Sequence, residues 1–435
     1  MNLVAMPTTK IHGEVTCPAD KSITQRVLLL GALQNKDLKI TNPLLGADPI
    51  STANALRALG AQIDITDEVL FREHKEGLAS SPNPLDLGNS GTGLRLLIGM
   101  VVGLRLNATF IGDASLSTRP MQRIIDPLSD FGAFFEHSGF MLPIKTFANI
   151  LHPSFSYTLP IASAQVKSSI LLAGLAAGSE VIIHESIQTR NHTELMFKDF
   201  GVNLEVHQSS QGNDIFLPKH QNLYKTTYDV AGDISSAAFL IAAALLAKDS
   251  YLIIRNVGLN PSRIGFLEVI QAMNANIKII DKIEKNGELR GSIIVESSEL
   301  SSIDLGGSII PNIIDEIPII CILAAFAEGR SIIKDAAELR KKESDRIKAV
   351  VNGLEKIGTK VVETEDGLTI TGKSYSSEEP ALIDSFKDHR IAMSFLISAI
   401  GIGKQVLVKD AENIATSFPQ FIDLVGKIGM TIHEA

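Results

Sequence analysis

Six short polar clusters each open a stretch of small and apolar residues, and several carry charge of the unfavourable sign. They are DKSITQR from Asp20, GNSGTGLR from Gly88, SAQVK from Ser163, GDISS from Gly232, DEIPI from Asp315 and DHR from Asp388. The apolar pattern after each cluster predicts a helix, so the clusters are read as helix N-termini. Such an end carries partial positive charge and favours Asp or Glu; a Lys or Arg there costs ~0.3–1 kcal/mol. Yet Lys21, Arg26, Arg95, Lys167, Arg346 and Arg390 fall in or just before first turns, and Arg119, in STRPM, precedes another helix start. Local rules broken in the same way at repeated positions mark a functional site. The simplest relief is a bound anion, held by cation, helix dipole and free backbone N–H groups together. Each cation taken singly could equally turn to solvent or to a nearby carboxylate.

Other residues add proton chemistry. Asp315 and Glu316 precede IPIICILAAFA; they either cap that helix or supply a carboxylate for proton transfer. In KESDR, Lys342 and Arg346 stand four apart, which on a helix face repels unless an anion or Glu343 lies between them. Ser163 and Gln165 bring a hydroxyl and an amide to one helix start, where Ser163 serves equally as an N-cap. Asn89 and Gly91 lie in a segment able to form a backbone nest around a phosphate or carboxylate, though it matches neither nucleotide-loop pattern. Ten His show no HxxxH or HxH spacing, and Cys17 and Cys321 are far apart, so neither a catalytic metal nor a disulfide framework is expected.

These clusters recur at regular intervals. Anchored at Lys21, Asn89, Ser163, Asp233, Asp315 and Asp388, the gaps are 68, 74, 70, 82 and 73 residues. Each copy runs from a polar cluster through a small-residue helix to a β-branched strand. A second helix then ends near Gly60, Gly201 or Gly358, where a positive φ is needed. Asn286-Gly287 and Asp366-Gly367 mark hairpins. The unit reads as βαβαββ, and six units fill the chain, three to a domain. The fold class is therefore α/β (α+β). With 435 residues, 45% apolar, 20% charged and a net charge of −9, the chain is neither disordered, collagenous nor a coiled coil, and its acidity argues against a nucleic-acid partner. The longest apolar runs, 237–247 and 391–403, stop well short of the ~18 residues of a membrane span, and no signal peptide is read, so a cytoplasmic protein is expected.

Taken in order, DKSITQR, GNSGTGLR, STRPM, SAQVKSS, KESDR, DHR and TSFP resemble the 5-enolpyruvylshikimate-3-phosphate synthase family along essentially the whole chain. The resemblance implies a two-domain inside-out α/β barrel, the enolpyruvyl transferase fold, with three βαβαββ repeats in residues 21–231 and three in residues 1–20 plus 232–435. It implies an active site in the cleft between them. It implies transfer of the enolpyruvyl group of phosphoenolpyruvate to the 5-hydroxyl of shikimate 3-phosphate, with release of phosphate and without a cofactor, by a monomer. By the same resemblance Lys21, Ser22, Arg26, Ser163, Gln165, Arg190, Asp315 and Lys342 hold shikimate 3-phosphate. Lys21, Asn89, Gly91, Arg119, Gln165, Arg346 and Arg390 hold phosphoenolpyruvate. Asp315 is the base for the 5-hydroxyl, Glu343 the proton donor to the methylene, and Lys21 a relay. SAQVK and RNHTE are similar to the family's second class, whose members often tolerate the inhibitor glyphosate; Gly91 stands where many tolerant enzymes carry Ala. A UDP-N-acetylglucosamine enolpyruvyl transferase, the alternative with the same co-substrate, carries a Cys in the loop corresponding to 112–120, where this chain has GDASLSTRP. A clamp-like binding protein would scatter its cations along helix midsections.

Overall fold

The computed structural model describes residues 1–73, 76–376 and 380–435. It divides into two compact units: Ala19–Val230 with Lys285–Glu288, called here the N-terminal unit, and Met1–Pro18, Ala231–Glu284 and Leu289–Ala435, the C-terminal unit.

Each unit contains three four-stranded sheets of one pattern, a parallel pair followed by two antiparallel neighbours. In the N-terminal unit, Leu85–Asp86 runs parallel to Ala108–Ile111, which is flanked by Met141–Thr146 and then Phe135–Ser138. Ser154–Thr158, Glu180–Glu185, Gly212–Leu217 and Glu205–Ser209 repeat that order. In the third sheet the leading strand comes last in the chain, Thr227–Asp229 beside Leu38–Thr41. The C-terminal unit draws strands from the start of the chain. Lys10–Thr16 runs parallel to Asp249–Gly258, and Leu3–Ala5 lies between Val406–Lys409 and Ile432–Glu434. A parallel pair needs a crossover. One buried helix supplies it in four of the sheets, whereas Leu38–Thr41 with Thr227–Asp229 and Lys10–Thr16 with Asp249–Gly258 join strands distant in the chain; there Leu38–Thr41 and Asp249–Gly258 each follow a buried helix of the same kind.

Those helices are Lys21–Gln34, Gly91–Gly103 and Ala164–Ala177 in one unit, and Ile234–Leu246, Ile317–Phe326 and His389–Ile402 in the other. They are apolar nearly all round and buried along most of their length, as helices enclosed within a domain must be. Their small residues let them approach closely. A Cβ on Gly99 would lie 2.2 Å from the Ser169 carbonyl oxygen, and one on Gly103 2.4 Å from that of Ala173, so glycine is required where Gly91–Gly103 meets Ala164–Ala177. Among the described residues no single helix is long and apolar enough to cross a membrane.

Asp20, Ser90, Ser163, Asp233 and Asp388 each cap their helix, the side chain accepting from a backbone N–H of the first turn. Such caps contribute about 1 kcal/mol apiece. Ile317–Phe326 is the exception: Glu316 holds its N-cap position without a side-chain cap bond. Nor do Lys342 and Arg346 share a helix face, as their spacing suggested. Asp345 caps the helix Arg346–Lys356, so Lys342 lies in the preceding loop.

Candidate active site

In the N-terminal unit the capped helix ends gather cations. Lys21 is the first residue of its helix, and its Nζ lies 2.9 Å from Asp48 Oδ2. Arg26, one turn further on, is buried. Its Nε donates to Thr193 Oγ1 at 2.8 Å, Nη2 to Ser168 Oγ at 3.0 Å and Nη1 to the Ser22 carbonyl at 3.0 Å. All three acceptors are neutral. Burial therefore dominates, and the Arg26 pKa is pushed down to about 10; Asp20 and Glu194 oppose that drop, while Arg190 adds to it. Arg26 remains charged at neutral pH, unmatched at contact range among the described residues.

A second group forms around the turn into Gly91–Gly103. Arg119 Nη2 donates to Asn89 Oδ1 at 2.8 Å and to Ser115 Oγ at 3.0 Å, and Asn89 Nδ2 donates to Asp113 Oδ2 at 2.7 Å. Gln165 accepts from Arg95 Nη1 at 2.9 Å and donates to Thr92 Oγ1 at 2.9 Å. Gly91 lies between two guanidiniums: a Cβ there would be 3.0 Å from Arg95 Nη1 and 3.4 Å from Arg119 Nη1. Arg26, Arg95 and Arg119 thus meet hydroxyl, amide and carbonyl oxygens, and Arg190 is near enough to Arg26 to help lower its pKa, a gathering of cations suited to anions. Ser22 and Ser163 are half-buried beside them.

Lys167 does not belong to this set. Its side chain is fully buried, with Nζ 2.9 Å from Glu185 Oε2 and 2.6 Å from Glu194 Oε1. Two carboxylates already match it, so it is a structural cation rather than an anion ligand.

In the C-terminal unit the cluster is built around a buried arginine. Arg346 Nε lies 2.8 Å from Asp388 Oδ2, Nη2 2.6 Å from Glu343 Oε2, and Nη1 3.3 Å from Asp315 Oδ1. Burial alone would lower its pKa, but Asp388, Glu343 and Asp315 outweigh burial and hold it above the ordinary guanidinium range. Lys342 Nζ also reaches Asp315 Oδ1, at 3.3 Å, so this carboxylate oxygen is shared by two cations. Arg390 Nη1 donates to the Asp315 carbonyl at 2.8 Å and lies 3.7 Å from Glu316 Oε1. Asp315 is relieved of capping and directed at cations instead. Here carboxylates balance the lysine and arginines, so the cluster supplies oriented acids and bases as well as charge.

Of the residues singled out from sequence, Lys21, Ser22, Arg26, Asn89, Gly91, Arg95, Arg119 and Gln165 lie in the N-terminal groups and Asp315, Glu316, Lys342, Glu343, Arg346 and Arg390 in the C-terminal cluster. Sequence reading missed Asp48, Ser168, Thr193 and the part of Asp388 in holding Arg346; each is ordinary in type and distant in sequence from its partner. Among the described residues no group of three or more His, Cys, Asp or Glu would hold a metal. Cys321 is buried, and burial pushes its thiol pKa well above the usual range.

The chain matches the family model for EPSP synthase (3-phosphoshikimate 1-carboxyvinyltransferase) over residues 5–425. It is 43% identical to the 3-phosphoshikimate 1-carboxyvinyltransferase of Thermodesulfovibrio yellowstonii, with 98% of this chain and 99% of that protein covered. It is 40% identical to the protein of the same name from Geobacter metallireducens, covering 97% and 98%. The solved EPSP synthase from Acinetobacter baumannii superposes with a TM-score of 0.87 at 37% identity over 99% of both chains. The enolpyruvyl transferase NikO from Streptomyces tendae, 16% identical over 100% of this chain and 98% of its own, shares the fold with a TM-score of 0.76. The two clusters thus stand within a full-length match, and the chain belongs to the EPSP synthase (3-phosphoshikimate 1-carboxyvinyltransferase) family.

Proposed function

We propose that the protein transfers the enolpyruvyl group of phosphoenolpyruvate to the 5-hydroxyl of shikimate 3-phosphate. One observation carries the reading: the family match runs from residue 5 to residue 425 and so takes in both clusters, not the fold alone. In the reaction the methylene carbon of phosphoenolpyruvate gains a proton. The 5-hydroxyl oxygen bonds to the adjacent carbon and loses its own proton. The tetrahedral adduct then gives up a methyl proton, its C–O bond to phosphate breaks, and inorganic phosphate leaves.

Lys21, Ser22, Arg26, Ser163, Gln165 and Arg190 hold shikimate 3-phosphate in this proposal, with Asp315 and Lys342. Lys21, Asn89, Gly91, Arg119, Gln165, Arg346 and Arg390 hold phosphoenolpyruvate. Asp315 takes the proton of the 5-hydroxyl, Glu343 supplies one to the methylene, and Lys21 relays. Support comes from charge. Both substrates are anions, the N-terminal cluster is rich in cations, and Asp315 and Glu343 are aimed at Arg346. A phosphate-release assay with phosphoenolpyruvate tests the reaction. Release is expected with shikimate 3-phosphate and not with UDP-N-acetylglucosamine; the reverse selectivity refutes the proposal.

Arg26 gives a sharper test. Its lowered pKa means that the charged form opposes folding at every pH below about 10, and that cost fades only as pH rises from there through the ordinary guanidinium range. A bound anion offsets the cost. Arg26→Met is therefore expected to bind shikimate 3-phosphate roughly 30-fold or more weakly, yet to melt, ligand-free, no lower than the unmutated protein. Calorimetry and thermal scans read both; a large fall in melting temperature with affinity retained contradicts the assignment.

We place the chain in the family's second class, on SAQVK and on Arg190 in RNHTE. Glyphosate is read as an inhibitor competing at the phosphoenolpyruvate subsite. The added methyl of Gly91→Ala would press on Arg95 and Arg119. Inhibition is expected to weaken roughly tenfold, with a smaller rise in KM for phosphoenolpyruvate; unchanged inhibition places glyphosate elsewhere. We further read the protein as a cytoplasmic monomer, which sedimentation velocity would register at 46.9 kDa.

A further inference from the structure

Thr193 and Glu194 are consecutive, both buried, and serve different cations. The Glu194 carboxylate lies 2.6 Å from Lys167 Nζ, while Thr193 Oγ1 accepts from Arg26 Nε at 2.8 Å. Ser168, also fully buried, accepts from Arg26 Nη2 at 3.0 Å and lies 2.7 Å from Thr193 Oγ1. The two hydroxyls therefore bond to each other and grip adjacent nitrogens of one guanidinium. A carboxylate in their place would orient Arg26 equally well but would neutralise it. Hydroxyls fix the plane of the fork and leave its charge for a ligand. A planar donor held on two nitrogens also loses little further freedom when an anion meets it.

We propose that Thr193 and Ser168 are positioning residues for Arg26, an uncharged pair of acceptors that orients the guanidinium toward shikimate 3-phosphate without cancelling its charge. The inference rests on the reading of Arg26 as a ligand of that substrate. Thr193 touches no reacting atom in it, so the effect belongs to affinity for one substrate. Thr193→Val keeps the shape and removes one acceptor. The expected result is a rise in Kd and KM for shikimate 3-phosphate of about 5- to 30-fold, around the lower end of what a lost hydrogen bond to a charged group costs, because Ser168 and the Ser22 carbonyl still hold the guanidinium. The kcat is expected to stay within about twofold and KM for phosphoenolpyruvate to be unaltered. Thr193→Ser restores the hydroxyl and is expected to restore affinity, and Ser168→Ala to act in the same direction as Thr193→Val.

The measurements are calorimetric titration with shikimate 3-phosphate, steady-state kinetics in both substrates, and melting temperature. Unaltered affinity in Thr193→Val overturns the proposal, as does a parallel loss in kcat and both KM values that Thr193→Ser fails to rescue. Arg26→Met separates the two levels. If it binds shikimate 3-phosphate like the unmutated protein, the reading of Arg26 fails and the positioning role with it. If it loses affinity while Thr193→Val does not, only the positioning role fails.

Discussion

Asp315→Asn is expected to lower kcat by about 10²–10⁴-fold, the range for removing a general base, while leaving KM values equal or lower. The sign of the binding change follows from the contacts. Asp315 Oδ1 is shared by Lys342 and Arg346 at 3.3 Å each. An amide oxygen at that place still accepts a hydrogen bond, but its negative charge is gone. The two cations then face the anionic substrates with less competition. Arg346 keeps its orientation through Asp388 and Glu343, so a melting temperature near that of the unmutated protein is expected. The decisive measurement is steady-state kinetics with both substrates saturating in turn. An unaltered kcat would remove Asp315 from the role of base, and a kcat lost together with thermal stability would mark it as structural.

The second large effect concerns stability. Lys167→Met removes the cation between Glu185 and Glu194, whose side chains are only 3% and 4% exposed. Glu185 retains donors in the Thr189 N–H and hydroxyl, but Glu194 Oε1 loses its lysine and Oε2 already has no hydrogen-bond partner among the described residues. Breaking a buried pair from one side costs ~3–5 kcal/mol. For a chain of 435 residues melting as one that is a fall of roughly 3–6 °C in melting temperature. Adding Glu185→Gln and Glu194→Gln is expected to recover much of the loss. A Lys167→Met protein that melts normally at neutral pH would show that the pair contributes nothing. Arg26 is the counterpart: also buried and cationic, but held by neutral groups, so its removal is expected to cost binding and spare the fold.

That contrast shows where sequence reading stops. The helix starts were legible because caps are local: Asp20, Ser163, Asp233 and Asp388 bond to N–H groups two or three residues on. The ends were legible at Gly60, Gly201 and Gly358, with φ of 107°, 92° and 80°. The repeat was legible as a period. Which cations stand ready for a ligand was not. Lys167 and Arg26 occupy equivalent-looking helix starts, yet one meets Glu185, 18 residues away, and the other Thr193, 167 away. Charge type gives no hint of such pairings. Spacing misled at Lys342 and Arg346 because Asp345 begins the helix between them. At Asp366-Gly367 the hairpin signal held, though Gly367 has a different job from a positive-φ turn residue: a Cβ there would collide with the Ile333 carbonyl oxygen.

Leu3–Ala5 is the inner strand of a sheet whose other members are Ala381–Asp384, Val406–Lys409 and Ile432–Glu434. It is translated long before any of them. Until the ribosome has delivered Val406–Lys409 this segment has neither neighbour, and until Ile432 only one, whereas the strands of the N-terminal unit up to Asp229 are already on hand. Nascent-chain maturation should therefore proceed out of step, one unit closing early while the other keeps Leu3–Ala5 apart from its partners until residues 406–434 have emerged. A bulky fusion placed ahead of Leu3 would burden the late-maturing unit, despite the position of that residue in the chain.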